Sequence, residues 1–133
     1  MPHLFTYGTL CVPEVMRAVI GRDLAGEPAI LRDHRRRLVA DCVFPAITAC
    51  PGSEVTGTLF RHVDPATMDK FDAYEASFYE RRAVTVQLDH TGVIERILAE
   101  VYLLSPTEAW RLSDELWEEA VFVREHLPSY LHW

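Results

Sequence analysis

Residues 79–104 limit the folds open to this chain more than any other stretch. Val84, Val86 and Leu88 alternate with Thr85 and Gln87, and after Asp89-His90-Thr91-Gly92 the pattern resumes with Ile97, Ala99, Val101 and Leu103 on one face. A period of two on both sides of a glycine-containing turn predicts a β-hairpin. Further strand-like pieces cover residues 3–7, 29–39, 45–50 and 55–63, with Pro51-Gly52-Ser53 as a turn between the last two. Helices fall between them. Pro13 suits a first helical turn, Val15, Met16, Val19 and Ile20 form its apolar side, and Gly21 is its stop. Asp64-Pro65 reads as a cap and first helical residue, followed by Met68 and Phe71 at helical spacing. Ser105-Pro106-Thr107-Glu108 is a capping-box pattern, and it predicts a helical C-terminal part carrying Trp110, Leu116, Trp117, Ala120 and Val123. About six strands with short helices between them predict an α+β fold with a strongly curved or closed sheet, as one domain over 1–133.

Composition narrows the classes of function. At 133 residues the chain can bury a core without disulfides or metal. No apolar run reaches the ~20 residues of a membrane span, and no charged-then-apolar leader opens the sequence, so a cytoplasmic location without membrane contact is expected. A net charge of −7 opposes a general affinity for nucleic acid. His34-Arg35-Arg36-Arg37 is the one basic cluster, and within a strand-like segment of an acidic protein it reads as a solvated sheet face. Cys11, Cys42 and Cys50 lack zinc spacing and read as reduced structural thiols, with Cys11 a small apolar filler. The scattered histidines give no metal motif, and no Gly-x-Ser-x-Gly elbow is present. Neither a metal nor an organic cofactor is expected.

Two stretches carry candidate chemistry. The strand of residues 3–7 runs into Tyr7-Gly8-Thr9-Leu10 immediately before the first helix. Gly8 is expected to end the strand by taking positive φ, leaving unpaired N–H groups suited to an anion or oxyanion. The second stretch centres on Glu75, which lies four residues after Phe71 and so returns to the same helix face, with Tyr74, Phe78 and Tyr79 nearby. Desolvation there would raise its pKa toward that of a general base. Glu75 also fits a solvated helix end paired with Arg81 or Arg82, and Asp72, four residues after Met68, is the alternative acid. An N–H-rich turn together with an acid in an aromatic pocket would supply both halves of an acyl-transfer site.

With those motifs in place, the chain resembles the γ-glutamylcyclotransferase-like family, in the branch with plant avirulence-induced-gene proteins and γ-glutamylamine cyclotransferases. The resemblance rests on LFTYGTL at 4–10, PEVMRAVIG at 13–21, FPAI at 44–47, VTGTLF at 55–60, MDKFDAYEASFYERRAVTV at 68–86 and the Trp/Glu-rich C-terminal part. It implies a small mixed β-barrel with flanking helices and a cavity beside the glycine turn. Tyr7, Gly8, Thr9 and Leu10 then match the substrate-cradling loop and Glu75 the catalytic acid/base, while Tyr79, among the rings around Glu75, is expected to contact substrate. Ala76 stands where many members have glycine.

The implied reaction is attack of the α-amine of a γ-glutamyl compound on its own γ-carbonyl, giving 5-oxoproline and a free amine. Such chemistry needs a near-attack conformer, a proton carrier and oxyanion donors, but no protein nucleophile. The same fold could instead serve as a small-molecule binding module, or hydrolyse γ-carboxamides with water as nucleophile. Neither the leaving amine nor the oligomeric state follows from the residues.

Overall fold

The computed structural model describes residues 1–75 and 78–131. Its elements in chain order are β1 (Leu4–Thr6), a 3₁₀ turn (Thr9–Cys11), α1 (Pro13–Ile20), β2 (Glu27–Leu38), β3 (Pro45–Phe60) and α2 (Pro65–Glu75). β4 (Tyr79–His90), β5 (Val93–Leu104), a second 3₁₀ helix (Pro106–Arg111), α3 (Glu119–Glu125) and α4 (Leu127–Tyr130) follow. The strands close into a barrel in the order β1-β3-β2-β4-β5. β1 completes the ring, antiparallel to β3 and parallel to β5, where Leu4 stands beside Glu100.

The expected hairpin is β4–β5, paired from Tyr79↔Leu104 to His90↔Val93. Its turn is Thr91-Gly92, with φ of 57° and 90°, and the N–H of Gly92 donates to Asp89 Oδ1 at 2.8 Å. Paired positive φ values match the right-handed strand twist. α1 likewise begins on Pro13 and ends at Gly21, whose φ is 79° and whose N–H donates to the Arg17 carbonyl. Asp64 Oδ1 accepts the N–H of Thr67 at 2.7 Å and caps α2.

The strands at 45–50 and 55–63 are one strand, so the described residues form a sheet of five strands rather than about six. Pairing with β2 passes from Arg32↔Glu54 to His34↔Ala49, so residues 50–53 bulge opposite Asp33 instead of turning the chain. Asp33 has φ 62° and its Oδ1 accepts the N–H of Gly52 at 3.0 Å. That bulge absorbs the glycine and proline within a continuous, bent ladder.

The C-terminal part also differs from expectation. Ser105 makes no side-chain cap; its hydroxyl donates to Glu80 Oε1 at 3.1 Å, and the six residues that follow form only a 3₁₀ helix. Trp110 and Leu116 are exposed, whereas Trp117 is buried and its Nε1–H donates to the Val43 carbonyl at 2.9 Å. Helix resumes at Glu119.

Two large apolar clusters hold these elements. Phe5, Ala29, Leu31, Ile47, Val55, Leu59, Val86, Leu88, Ala99 and Val101 come from all five strands and fill the barrel. Leu4, Val15, Met16, Ile20, Phe60, Phe71, Tyr102, Trp117 and Phe122 bury the helices against its outer face. Leu4 and Phe5 point into different clusters, as successive strand residues must, and both are almost fully buried. Each such side chain contributes roughly 1.5–3 kcal/mol by leaving water, which locks the short β1 and the turn after it.

Candidate active site

The 7–10 turn is built where β1 leaves its ladder. Thr6↔Thr58 is the last pair with β3, and the chain then tightens so that the N–H of Cys11 donates to the Gly8 carbonyl at 2.9 Å. Gly8 has φ −132°, not the expected positive value. Glycine is required here for space: a Cβ would stand 2.8 Å from Pro45 Cγ and 3.0 Å from Pro45 Cδ. The Tyr7 carbonyl meets Arg36 Nη1 at 2.6 Å. In a trans peptide the following N–H points the opposite way, so the N–H of Gly8 faces away from Arg36. Among the described residues the N–H groups of Gly8 and Thr9 meet no backbone acceptor.

A cavity of about 170 Å³ opens at this turn. Residues 5–10 form one wall, and Phe44, Pro45, Tyr74, Glu75, Phe78, Tyr79, Tyr102 and Tyr130 form the rest. All six residues singled out from the sequence (Tyr7, Gly8, Thr9, Leu10, Glu75 and Tyr79) therefore lie on one cavity. Phe71 does not; it is fully buried among the helices. Ala76 lies outside the described residues.

The tyrosines turn their hydroxyls to the protein. Tyr7 donates to the Tyr102 carbonyl at 2.6 Å, Tyr79 to the Pro45 carbonyl at 2.6 Å, and Tyr102 to Asp72 Oδ1 at 2.7 Å. Tyr74 Oη lies 2.7 Å from Thr9 Oγ1 and is also hydrogen-bonded to Tyr130 Oη. Burial pushes all five phenols above their ordinary pKa, so they remain neutral donors and rigid walls. Phe44 and Phe78 stack with centroids 5.8 Å apart.

Glu75 is the acid that faces this cavity. It is the last residue of α2, and its carboxylate has no hydrogen-bond or ion-pair partner among the described residues. The pairings that would have made it a surface residue are taken elsewhere: Arg81 pairs with Asp72, and Arg82 with Glu80 at 2.6 Å. Burial raises the pKa of Glu75 to about 8. A carboxyl group with that pKa accepts and returns a proton near neutral pH. Asp72 is held by Arg81 and Tyr102 and is absent from the cavity wall.

The basic cluster is not simply a solvated face. Arg36 is half-buried, bound to the Tyr7 carbonyl, and lies over the Trp117 ring at 5.5 Å. Cys11 is a thiol whose pKa is raised by burial, with Sγ 3.3 Å from Thr6 Oγ1. Sequence reasoning gave no site role to Phe44, Pro45, Tyr102 or Tyr130. Phe44 and Pro45 open the FPAI motif, which offered a signal. Tyr130 sits in a short helix with none. Among the described residues no cluster of His, Cys, Asp and Glu is arranged to hold a metal ion, and no helix is long and apolar enough to cross a membrane.

Comparison with known proteins gives a consistent picture. A family model described as gamma-glutamyl cyclotransferase, AIG2-like, matches residues 4–119. Protein AIG2 C of Arabidopsis thaliana is 28% identical over 101 residues, covering 76% of this chain and 60% of the relative. The match thus spans less than two thirds of that relative's length. A solution structure from Arabidopsis thaliana superposes with a TM-score of 0.72 at 20% identity, over 98% of this chain and 86% of the other. A gamma-glutamyl cyclotransferase structure superposes with a TM-score of 0.62 at 18% identity, over 78% of this chain and 66% of the other. At those identities the superpositions establish the shared fold alone.

Proposed function

Because the chain belongs to the gamma-glutamyl cyclotransferase, AIG2-like family, we propose that it cyclises a γ-glutamyl compound to 5-oxoproline with release of an amine. The observation that carries this proposal is Glu75, a carboxyl unpaired among the described residues, with a pKa of about 8, in the same cavity as the 7–10 turn. In the proposed reaction the substrate's α-ammonium gives its proton to Glu75 carboxylate, and the freed amine attacks the γ-carbonyl carbon. A C–N bond forms and the carbonyl oxygen becomes an oxyanion, which accepts from the N–H groups of Gly8 and Thr9. Collapse breaks the original C–N bond as Glu75 returns its proton to the departing nitrogen; the second proton of the attacking nitrogen then passes through the same carboxylate to the released amine, which leaves as an ammonium ion and leaves the lactam neutral.

Burial supports both transfers. An ionised Glu75 has no cation paired with it among the described residues, so an incoming ammonium supplies the missing charge and favours the carboxylate form. The neutral carboxyl left after transfer is stable in the same surroundings. The rings of Tyr7, Tyr74 and Tyr79 would hold the folded γ-glutamyl group in a near-attack conformer while excluding water. Tyr79 acts here through its ring, since its hydroxyl is bound to Pro45.

The test is incubation with a panel of γ-glutamyl compounds, with the products identified by mass. Release of 5-oxoproline is expected. Release of glutamate would mean that water, not the α-amine, is the nucleophile. Binding without any product would leave a small-molecule binding module on this fold.

A further inference from the structure

We propose that Arg36 is a positioning residue of this site: it fixes the Tyr7–Gly8 peptide so that the Gly8 N–H stands as a donor to the reacting group. This role rests on the cyclisation proposed above. It gives a task to the one basic cluster of an acidic chain.

The geometry points to a directed contact. β1 leaves β3 after Thr6↔Thr58, and the next carbonyl, that of Tyr7, needs a new donor. Arg36 Nη1 supplies it at 2.6 Å and reaches the Thr56 carbonyl of β3 at 3.2 Å. One guanidinium thus bridges the two strands where their ladder ends. Both bonds leave the single nitrogen Nη1, whose two N–H groups are fixed in the guanidinium plane, whereas a lysine ammonium rotates freely. The guanidinium also lies over the Trp117 ring, and Trp117 is itself fixed through Val43.

Two consequences reach the cavity. A trans peptide makes the orientations of the Tyr7 C=O and the Gly8 N–H inseparable, so anchoring one aims the other. A charge-assisted bond at the carbonyl also polarises the amide and makes its N–H a stronger donor. Arg36 does not line the cavity and is not a catalytic residue. Without it, the Tyr7–Gly8 peptide could rotate and present a carbonyl to the developing oxyanion.

The experiment compares the parent with Arg36→Ala and Arg36→Lys. Formation of 5-oxoproline, melting temperature and 5-oxoproline affinity are measured for each. Arg36→Ala is expected to lower kcat/KM by about 10²-fold, near the cost of losing one oxyanion donor. Arg36→Lys should fall between Ala and the parent. Guanidinium ion at low concentration, against a sodium chloride control, should restore part of the Arg36→Ala rate, which a purely structural defect would not allow. If Arg36→Ala fails to fold, the same assignment is tested by Arg36→Lys alone, which must lose at least several-fold in kcat/KM at an unchanged melting temperature. Parent-like kcat/KM in the variants, or a loss that follows melting temperature and ignores guanidinium, would overturn the assignment and leave cyclisation intact. Absence of 5-oxoproline from the parent itself would overturn both.

Discussion

Arg81 Nε lies 3.1 Å from Asp72 Oδ1, and this pair separates the two acids at the end of α2 by function. Asp72 also accepts from the Tyr102 hydroxyl at 2.7 Å, so it ties α2 to β4 and β5. Glu75, one turn later, is left with the cavity.

Replacing each acid by its amide should therefore give opposite results. Glu75→Gln keeps the volume, cannot carry the proton, and is expected to lose about 10²–10⁴-fold in kcat with the fold intact. Asp72→Asn should retain turnover within a few-fold and lose about 1 kcal/mol of stability, since its ion pair is partly exposed. Turnover assays with circular dichroism melts separate the two. A parent-like Glu75→Gln would remove the proposed proton carrier.

The raised pKa of Glu75 has a sign that stability measurements can read. Folding raises this carboxyl from an ordinary 4.5 to about 8, so the native state binds more protons than the unfolded state across that interval. Its contribution is most favourable below pH 4.5 and is lost as pH rises through 8. Relative to Glu75→Gln, the parent should become progressively less stable from pH 4.5 to about 8 and level off above that. Melting curves of both proteins across that range test the sign. A constant difference would mean that Glu75 does not titrate there. In turnover, kcat/KM should rise with pH toward 8 as the carboxylate form appears.

Gly8 and Gly21 offer a matched pair of alanine substitutions. At Gly8 a Cβ would lie 2.8 Å from Pro45, so either the turn or Pro45 must move. Gly8→Ala is expected to lose about 1–3 kcal/mol of stability and at least about tenfold in kcat/KM. Gly21 has φ 79° but nothing within 4 Å of where a methyl would stand, so Gly21→Ala costs only backbone strain, about 1–2 kcal/mol, with activity unchanged. Equal activity in the two variants would deny the turn its proposed role.

Tyr79→Phe removes the donor to the Pro45 carbonyl and keeps the ring against the cavity. The expected outcome is a stability loss of about 1–3 kcal/mol with KM changed by no more than a few-fold. A large rise in KM without destabilisation would show the hydroxyl itself contacting substrate.

Sequence patterns announced features whose partners lie close along the chain. Pro13 and Gly21 bracket α1, Asp64 caps α2, and the β4–β5 register follows from alternation around Thr91-Gly92. Features decided by distant partners were hidden. Gly8 looked like a residue chosen for positive φ because nothing local reveals Pro45 packed on it. The bulge in β3 depends on Asp33 of the neighbouring strand, and Ser105 is diverted from capping by Glu80. The site divides in the same way. Glu75 and the 7–10 turn stood out by residue type, whereas Arg36, Tyr102 and Tyr130 act through contacts 29, 30 and 56 residues away along the chain.

Closure of the barrel by β1 bears on how the chain folds during synthesis. Leu4, Phe5 and Thr6 must find β3, and Leu4 must also lie beside Glu100 of β5, before the ring is complete. Of the five strands, β1 is made first and thus waits for β5, which is made last. During that delay Phe5 lacks the β5 residues Ala99 and Val101 of its core, and β1 keeps an open edge able to pair with another molecule. Contacts of such long sequence separation slow the search for the native state. The same three residues that deliver the chain to Tyr7 and Gly8 therefore make the newborn protein a candidate for chaperone capture until Leu104 has emerged.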